Sequence, residues 1–142
     1  MIYRTEPENF HPRFQIVSCY LEHGGEILLL HRHENKSQGG KWGLPAGKME
    51  KDESEQEAIV REIKEETGLS IPAEHLKYFN KLYVNHTGYD FIYHMFSAKL
   101  PTCPAIAINN YEHQAYQWIA PQKALSLNLI DDLDTCIKLF YH

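Results

Sequence analysis

Apolar and polar positions change period several times along the chain, and each change predicts an element. Phe14 to Glu22, FQIVSCYLE, is apolar and rich in β-branched and aromatic residues, which predicts a strand. His23-Gly24-Gly25 supplies a turn. Glu26 to Arg32, EILLLHR, predicts a second strand, and its unbroken apolar run implies burial on both faces. A polar loop, HENKSQGGK, follows. Trp42 to Lys48, WGLPAGK, is punctuated by Gly and Pro and is expected to be extended rather than helical.

From Ser54 to Thr67 the apolar positions take helical spacing, with Ile59, Val60 and Ile63 forming one stripe. Ser54 is placed to cap the N-terminus, and Glu57 three residues on completes a capping box. Gly68 suits the left-handed position beyond the last turn, with Leu69 able to fold back on Ile63. Glu62, Glu65 and Glu66 stand at i, i+3 and i+4, within an arc of roughly 100° beside the stripe. Lys64 points away from them. Like charges so spaced destabilise a helix by a few tenths of a kcal/mol per pair, roughly. The crowding therefore calls for a positive partner.

Two β-prone segments follow, Leu76 to Asn85 and Tyr89 to Lys99, with His86-Thr87-Gly88 as a hairpin turn. Ala115 to Ala120, AYQWIA, predicts another strand, and Pro121 can begin a short helix. The last segment, IDDLDTCIKLFYH, is expected to be helical. Leu133, Ile137 and Phe140 share a face there, and Asp residues occupy the first turn. Strands, helix, strands, helix is the order of an α+β fold, a mixed β-sheet flanked by helices rather than a doubly wound βαβ sheet. A length of 142 residues suits one domain spanning 1-142.

Composition changes little in this picture. Hydrophobic residues are 43% and charged residues 23%, ordinary for a globular chain. No apolar run approaches the ~20 residues of a membrane span, and the opening MIYRTEPENFHPRF has no apolar core of a secretory signal. Cys19, Cys103 and Cys136 are odd in number and widely spaced without a CxxC, so idle thiols in a reducing, cytoplasmic setting are expected.

Charge changes more. Net charge is −5, and Gly47 to Leu69 holds eight acids against four bases. Such a patch disfavours a nucleic-acid backbone and suits divalent cations, which then recruit phosphates. Hard ions such as Mg²⁺ take oxygen ligands from one or two carboxylates plus substrate phosphates. Three carboxylates on one helical face make a platform of this kind. The extended lead-in lets a backbone carbonyl, that of Ala46, join it. A merely solvated acidic face is the alternative, but the adjoining apolar stripe, the double capping and the Gly-Pro loop upstream count against it.

Gly47 to Leu69, GKMEKDESEQEAIVREIKEETGL, places Glu53 after five residues, Arg61-Glu62 after seven more, then Ile63, Glu65-Glu66, Gly68 and Leu69. This resembles the Nudix box, G-x5-E-x7-R-E-U-x-E-E-x-G-U with U aliphatic, at every defined position. The resemblance implies the Nudix fold, an α-β-α sandwich, and a Mg²⁺-dependent hydrolase of diphosphate linkages in nucleotides, with Mn²⁺ as substitute. It implies that Glu65 and Glu66 are metal ligands and that Glu62 is a ligand or the general base. Arg61 would orient a neighbouring glutamate, unless it is simply an i,i+4 partner of Glu65. Glu53 would support the loop, and Gly47 would allow the turn and a close backbone approach.

Tyr111 to Trp118, YEHQAYQW, is similar to the matching part of dinucleoside-tetraphosphate hydrolases and, more loosely, of dihydroneopterin-triphosphate hydrolases. Glu112 is the candidate for a further carboxylate, as ligand or base. Arg32, Lys41 and Tyr83 are candidate substrate contacts, with Trp42 and Tyr89 as further stacking aromatics. Most of the nine histidines are expected at the surface or the core edge. The expected substrate is a small nucleotide, either a nucleoside triphosphate or a dinucleoside polyphosphate. ADP-ribose ranks lower, since KLYVNH beyond the box lacks the proline usual in hydrolases of that compound. A catalytically silent nucleotide-sensing domain is the rival from another class, and a homodimer is left open.

Overall fold

The structure, a computed structural model, describes residues 1–141. Eight strands form one mixed sheet: β1 (Ile2–Tyr3), β2 (Pro12–His23), β3 (Glu26–Arg32), β4 (Trp42–Gly43), β5 (Ala46–Lys48), β6 (Lys77–His86), β7 (Tyr89–Lys99) and β8 (His113–Ile119). The helices are α1 (Glu55–Thr67), α2 (Pro121–Ala124) and α3 (Leu133–Phe140). The strand order is β1-β6-β7-β2-β3-β4, with β5 on β2 and β8 on β3.

β2 is the axis. One edge runs parallel to β7, from Phe14 beside Phe91 to Glu22 beside Lys99. The other edge pairs with β3 only at the hairpin, Glu22 to Ile27 and His23 to Glu26. Beyond that the two strands part, and β5 pairs antiparallel with Ile16 to Ser18. β3 turns instead to β8, from Ile27 opposite Ile119 to Arg32 opposite His113.

Alternation along the central strands divides the core. Val17, Cys19, Leu21, Leu28 and Leu30 face Ala58, Ile59 and Ile63 of α1. Tyr20, Ile27 and Leu29 join Leu133, Cys136 and Ile137 of α3 on the other side. β3 is thus buried on both faces, as its apolar run predicts. Each fully buried aliphatic side chain stabilises the fold by about 1.5–3 kcal/mol.

Several boundaries differ from the sequence expectation. β2 begins at Pro12 and β8 at His113, both earlier than predicted, because partner strands extend the ladders past the apolar cores. α3 begins at Leu133 rather than Ile130. Asp132 takes a left-handed φ of 67° and ends the preceding loop, so only Asp134 lies in the first turn. His142, which the pattern placed in this helix, lies outside the described residues.

Candidate active site

α1 carries both predicted caps. Ser54 Oγ accepts from the Glu57 N–H at 3.1 Å, and Glu57 Oε1 accepts from the Ser54 N–H at 2.9 Å. Gly68 closes the helix with φ 78°. With Ile59 and Ile63 in the core, Glu62 and Glu66 are buried at the edge of the stripe and Glu65 is exposed. All three line a cleft of about 700 Å³ where β2 and β3 part. Lys64 is exposed and donates to the Gly68 carbonyl instead.

β5 forms the opposite lip. The Ala46 N–H donates to Glu66 Oε1 at 2.8 Å, fixing that carboxylate. A Cβ on Gly47 would overlap the Glu62 carboxylate. Gly47 has no positive φ, so space for Glu62, and not a turn, is what requires glycine there.

Arg61 is anchored away from the cleft by a fork. Its Nε donates to Glu53 Oε2 at 2.6 Å and its Nη2 to Glu53 Oε1 at 3.0 Å and to the Lys48 carbonyl at 3.1 Å. The remaining Nη1 reaches Glu62 Oε1 at 2.8 Å, with Glu65 farther off at 3.4 Å. The i,i+4 pair is therefore the minor contact. Glu53 also accepts from the Glu50 N–H at 2.9 Å, so it ties the loop before α1 to the helix.

Glu112 enters from the turn before β8. Its N–H donates to the Asn109 carbonyl, and its own carbonyl accepts from His33. One oxygen each of Glu112 and Glu66 and a ring nitrogen of His113 lie within 4.8 Å of one another. Among the described residues His113 and His94 are buried, while the other histidines lie at the surface or the core edge, as expected for most of them. Cross-strand and turn contacts distant in sequence bury those two; the only local signal for His113 is its place beside Glu112.

The electrostatics follow from this packing. Burial pushes Glu66 well above the usual carboxylate range, and the charges of Glu62 and Glu112 add to the shift. Burial also raises Glu62, opposed by Arg61. Hydrogen bonds from Arg61 hold Glu53 low. Burial drives His113 down to about 4, so its ring is neutral near pH 7. Clustered carboxylates that resist ionisation together are a good fit to a small divalent cation, which relieves both burial and repulsion.

The substrate candidates separate. Arg32 lines the cleft, with Nε held by the Ser37 carbonyl at 2.8 Å. Lys41 is not among the lining residues; it pairs with Asp131, which is, at 3.2 Å. Tyr83 does not line the cleft either. Its neighbour Val84 does, and strand alternation sends Tyr83 to the other face, edge-on to Phe10 at 5.3 Å. Trp42 stacks on His31 rather than facing the cleft. Tyr89 does line it, with Phe14 and Phe91, whose rings stack at 5.3 Å. Tyr89 is a sequence candidate, but Phe14 and Phe91 escape that reading, because their meeting needs the parallel register of β2 and β7.

The NUDIX domain family profile matches residues 10–140. The chain belongs to the NUDIX domain family. This Nudix protein is a hydrolase, of a kind that acts on pyrophosphate bonds. It is 31% identical over 115 residues to the CTP pyrophosphohydrolase of Escherichia coli K12, covering 81% of this chain and 82% of that one. It is 38% identical over 63 residues to the human 8-oxo-dGDP phosphatase, 44% of this chain but 19% of that protein. Among solved structures, the MutT protein of Methanosarcina mazei superposes with a TM-score of 0.79 at 29% identity, covering 91% of this chain and 93% of that one. Among the described residues no helix is long and apolar enough to cross a membrane.

Proposed function

We propose that this Nudix hydrolase cleaves a diphosphate linkage in a nucleoside triphosphate, with a divalent cation, Mg²⁺ or Mn²⁺, held by Glu62, Glu65, Glu66 and Glu112 and by the Ala46 carbonyl. The observation that carries the reading is the meeting of Glu112 with Glu66 beside a cleft that also holds stacked aromatic rings. A bound ion neutralises phosphate charge and lowers the pKa of the attacking water. The chain's own groups do the rest. Glu112 or Glu62 takes the proton from the water as its oxygen bonds to phosphorus and the bridging P–O bond breaks. Arg61 holds Glu62 in place without entering the cleft. Phe14, Tyr89 and Phe91 offer a base its stacking surface, and Arg32 is placed for a phosphate.

Asp132 also lines the cleft, and a carboxylate there is an acceptor suited to an exocyclic amino group. Together with the E. coli relative that acts on CTP, this favours a base with an amino group, such as cytosine. Dinucleoside polyphosphates remain the second reading, supported by the EHQAYQW run. A silent sensing domain is disfavoured because every box carboxylate is present.

A panel of CTP, UTP, other nucleoside triphosphates, a dinucleoside tetraphosphate and ADP-ribose, each with Mg²⁺ or Mn²⁺, tests the reading through phosphate or diphosphate release. Metal-dependent release from CTP well above UTP is expected. Turnover that survives EDTA treatment would overturn the metal reading, and no turnover of any substrate would favour the sensing domain.

A further inference from the structure

We propose that His113 supplies a ring nitrogen to the cation held by Glu66 and Glu112, making the centre a mixed nitrogen–oxygen site that favours a transition ion such as Mn²⁺ or Co²⁺ over Mg²⁺. The inference rests on the reading above, that these carboxylates hold a cation at all.

Three observations carry it. The first is distance: one ring nitrogen of His113 lies within 4.8 Å of an oxygen from each of Glu66 and Glu112. Donors about 2.1 Å from one octahedral ion stand roughly 3–4.2 Å apart, so small side-chain adjustments close the set. The second is satisfaction. His113 is 3% exposed, yet its Nδ1 has no hydrogen-bond partner. Buried polar atoms are nearly always paired, and among the described residues only this nitrogen and His86 Nδ1 are not, so the His113 ring keeps an unengaged nitrogen to offer a cation.

The third is that the backbone already fixes the residue. The His113 N–H donates to the Asn109 carbonyl, its place in β8 is set opposite Arg32, and Glu112 is held through His33. The imidazole is therefore not needed to hold the strand. Mg²⁺ seeks oxygen and avoids nitrogen, whereas imidazole suits the transition ions. An all-oxygen site has no such preference built in.

Pulsed EPR of the Mn²⁺-loaded protein provides the test, since directly bound nitrogen couples to the manganese electron spin. The proposal expects ¹⁴N coupling in the wild type and its loss in His113→Gln with Mn²⁺ still bound. It also expects Mn²⁺ affinity to fall about tenfold or more, the scale typical when a metal centre loses a partner, and Mg²⁺ affinity to change little. His86→Gln, at the histidine on the cleft wall, should keep the signal. Bound Mn²⁺ without nitrogen coupling in the wild type overturns the proposal and leaves the hydrolase reading standing. That measurement decides even if His113→Gln fails to fold. No Mn²⁺ binding by EPR titration overturns both.

Discussion

Glu66 is buried with its carboxylate fixed by Ala46, and the two facts pull against each other in metal-free protein. Glu66→Gln is expected to cut kcat heavily, yet to raise the melting temperature of the apo form, because it removes a charge that burial disfavours. Lys64→Ala, on the solvent side, should leave both nearly unchanged. Equal losses of kcat would refute the assignment of the helix face. Gly47→Ala tests the opposite lip. Its methyl must displace the Glu62 carboxylate, so kcat/KM should fall about 100-fold, the scale of an ångström-level misplacement, with stability loss of about 1–3 kcal/mol from overpacking. A kcat/KM within a few-fold of wild type would show that Glu62 need not stay put. The helix carboxylates were legible in the sequence because i, i+3, i+4 is a local relation. The fates of Tyr83, Lys41 and His113 were not, since each is set by a neighbour far along the chain: Phe10, Asp131 and Arg32.

At the level of elements, α1 holds its register by local means and so could be read almost residue by residue. Ser54→Ala should cost about 1 kcal/mol in chemical denaturation and leave kcat alone, because the cap lies at the far end of the helix from Glu66. A kcat loss beyond that explained by unfolding would show that the cap also sets the carboxylates. α3 shows the opposite case. Its acidic lead-in favours a helix start near Ile130. Instead the Asp131 N–H donates to Gln38 Oε1 at 2.6 Å and its side chain pairs with Lys41 and His86. Those contacts pull it out of the first turn, and no local pattern announces them. The short β4 and β5 were legible only as extended chain, since which strand they join depends on the parting of β2 from β3.

Across the whole molecule, stability should depend on metal and on pH. Binding of Mg²⁺ or Mn²⁺ to the folded form alone should raise the melting temperature in a concentration-dependent way; a flat titration would argue against any cation at the carboxylates. His94 is buried between the Tyr78 hydroxyl, at 2.9 Å, and Gln15 Oε1, at 2.7 Å, a pattern a neutral ring satisfies. Burial lowers its pKa below the unfolded value near 6.5. Its contribution is therefore complete above about pH 6.5 and is lost as the pH falls through the folded value. Melting temperatures from pH 8 to pH 5 should fall more steeply for wild type than for His94→Gln, and identical slopes would count against this. The parallel ladder of β2 and β7 has a consequence in time. Phe14 must wait for Phe91, and Glu22 for Lys99, before the central sheet exists. Helix nucleation and hairpins take microseconds, roughly, but distant pairings place the whole reaction in the range of milliseconds to seconds. A 13-residue helix is marginal alone, about the length at which isolated helices fail in water. A nascent chain halted on the ribosome before Lys99 should therefore be protease-sensitive throughout, its capped helix flickering, with resistance appearing only once β7 can slot in beside β2.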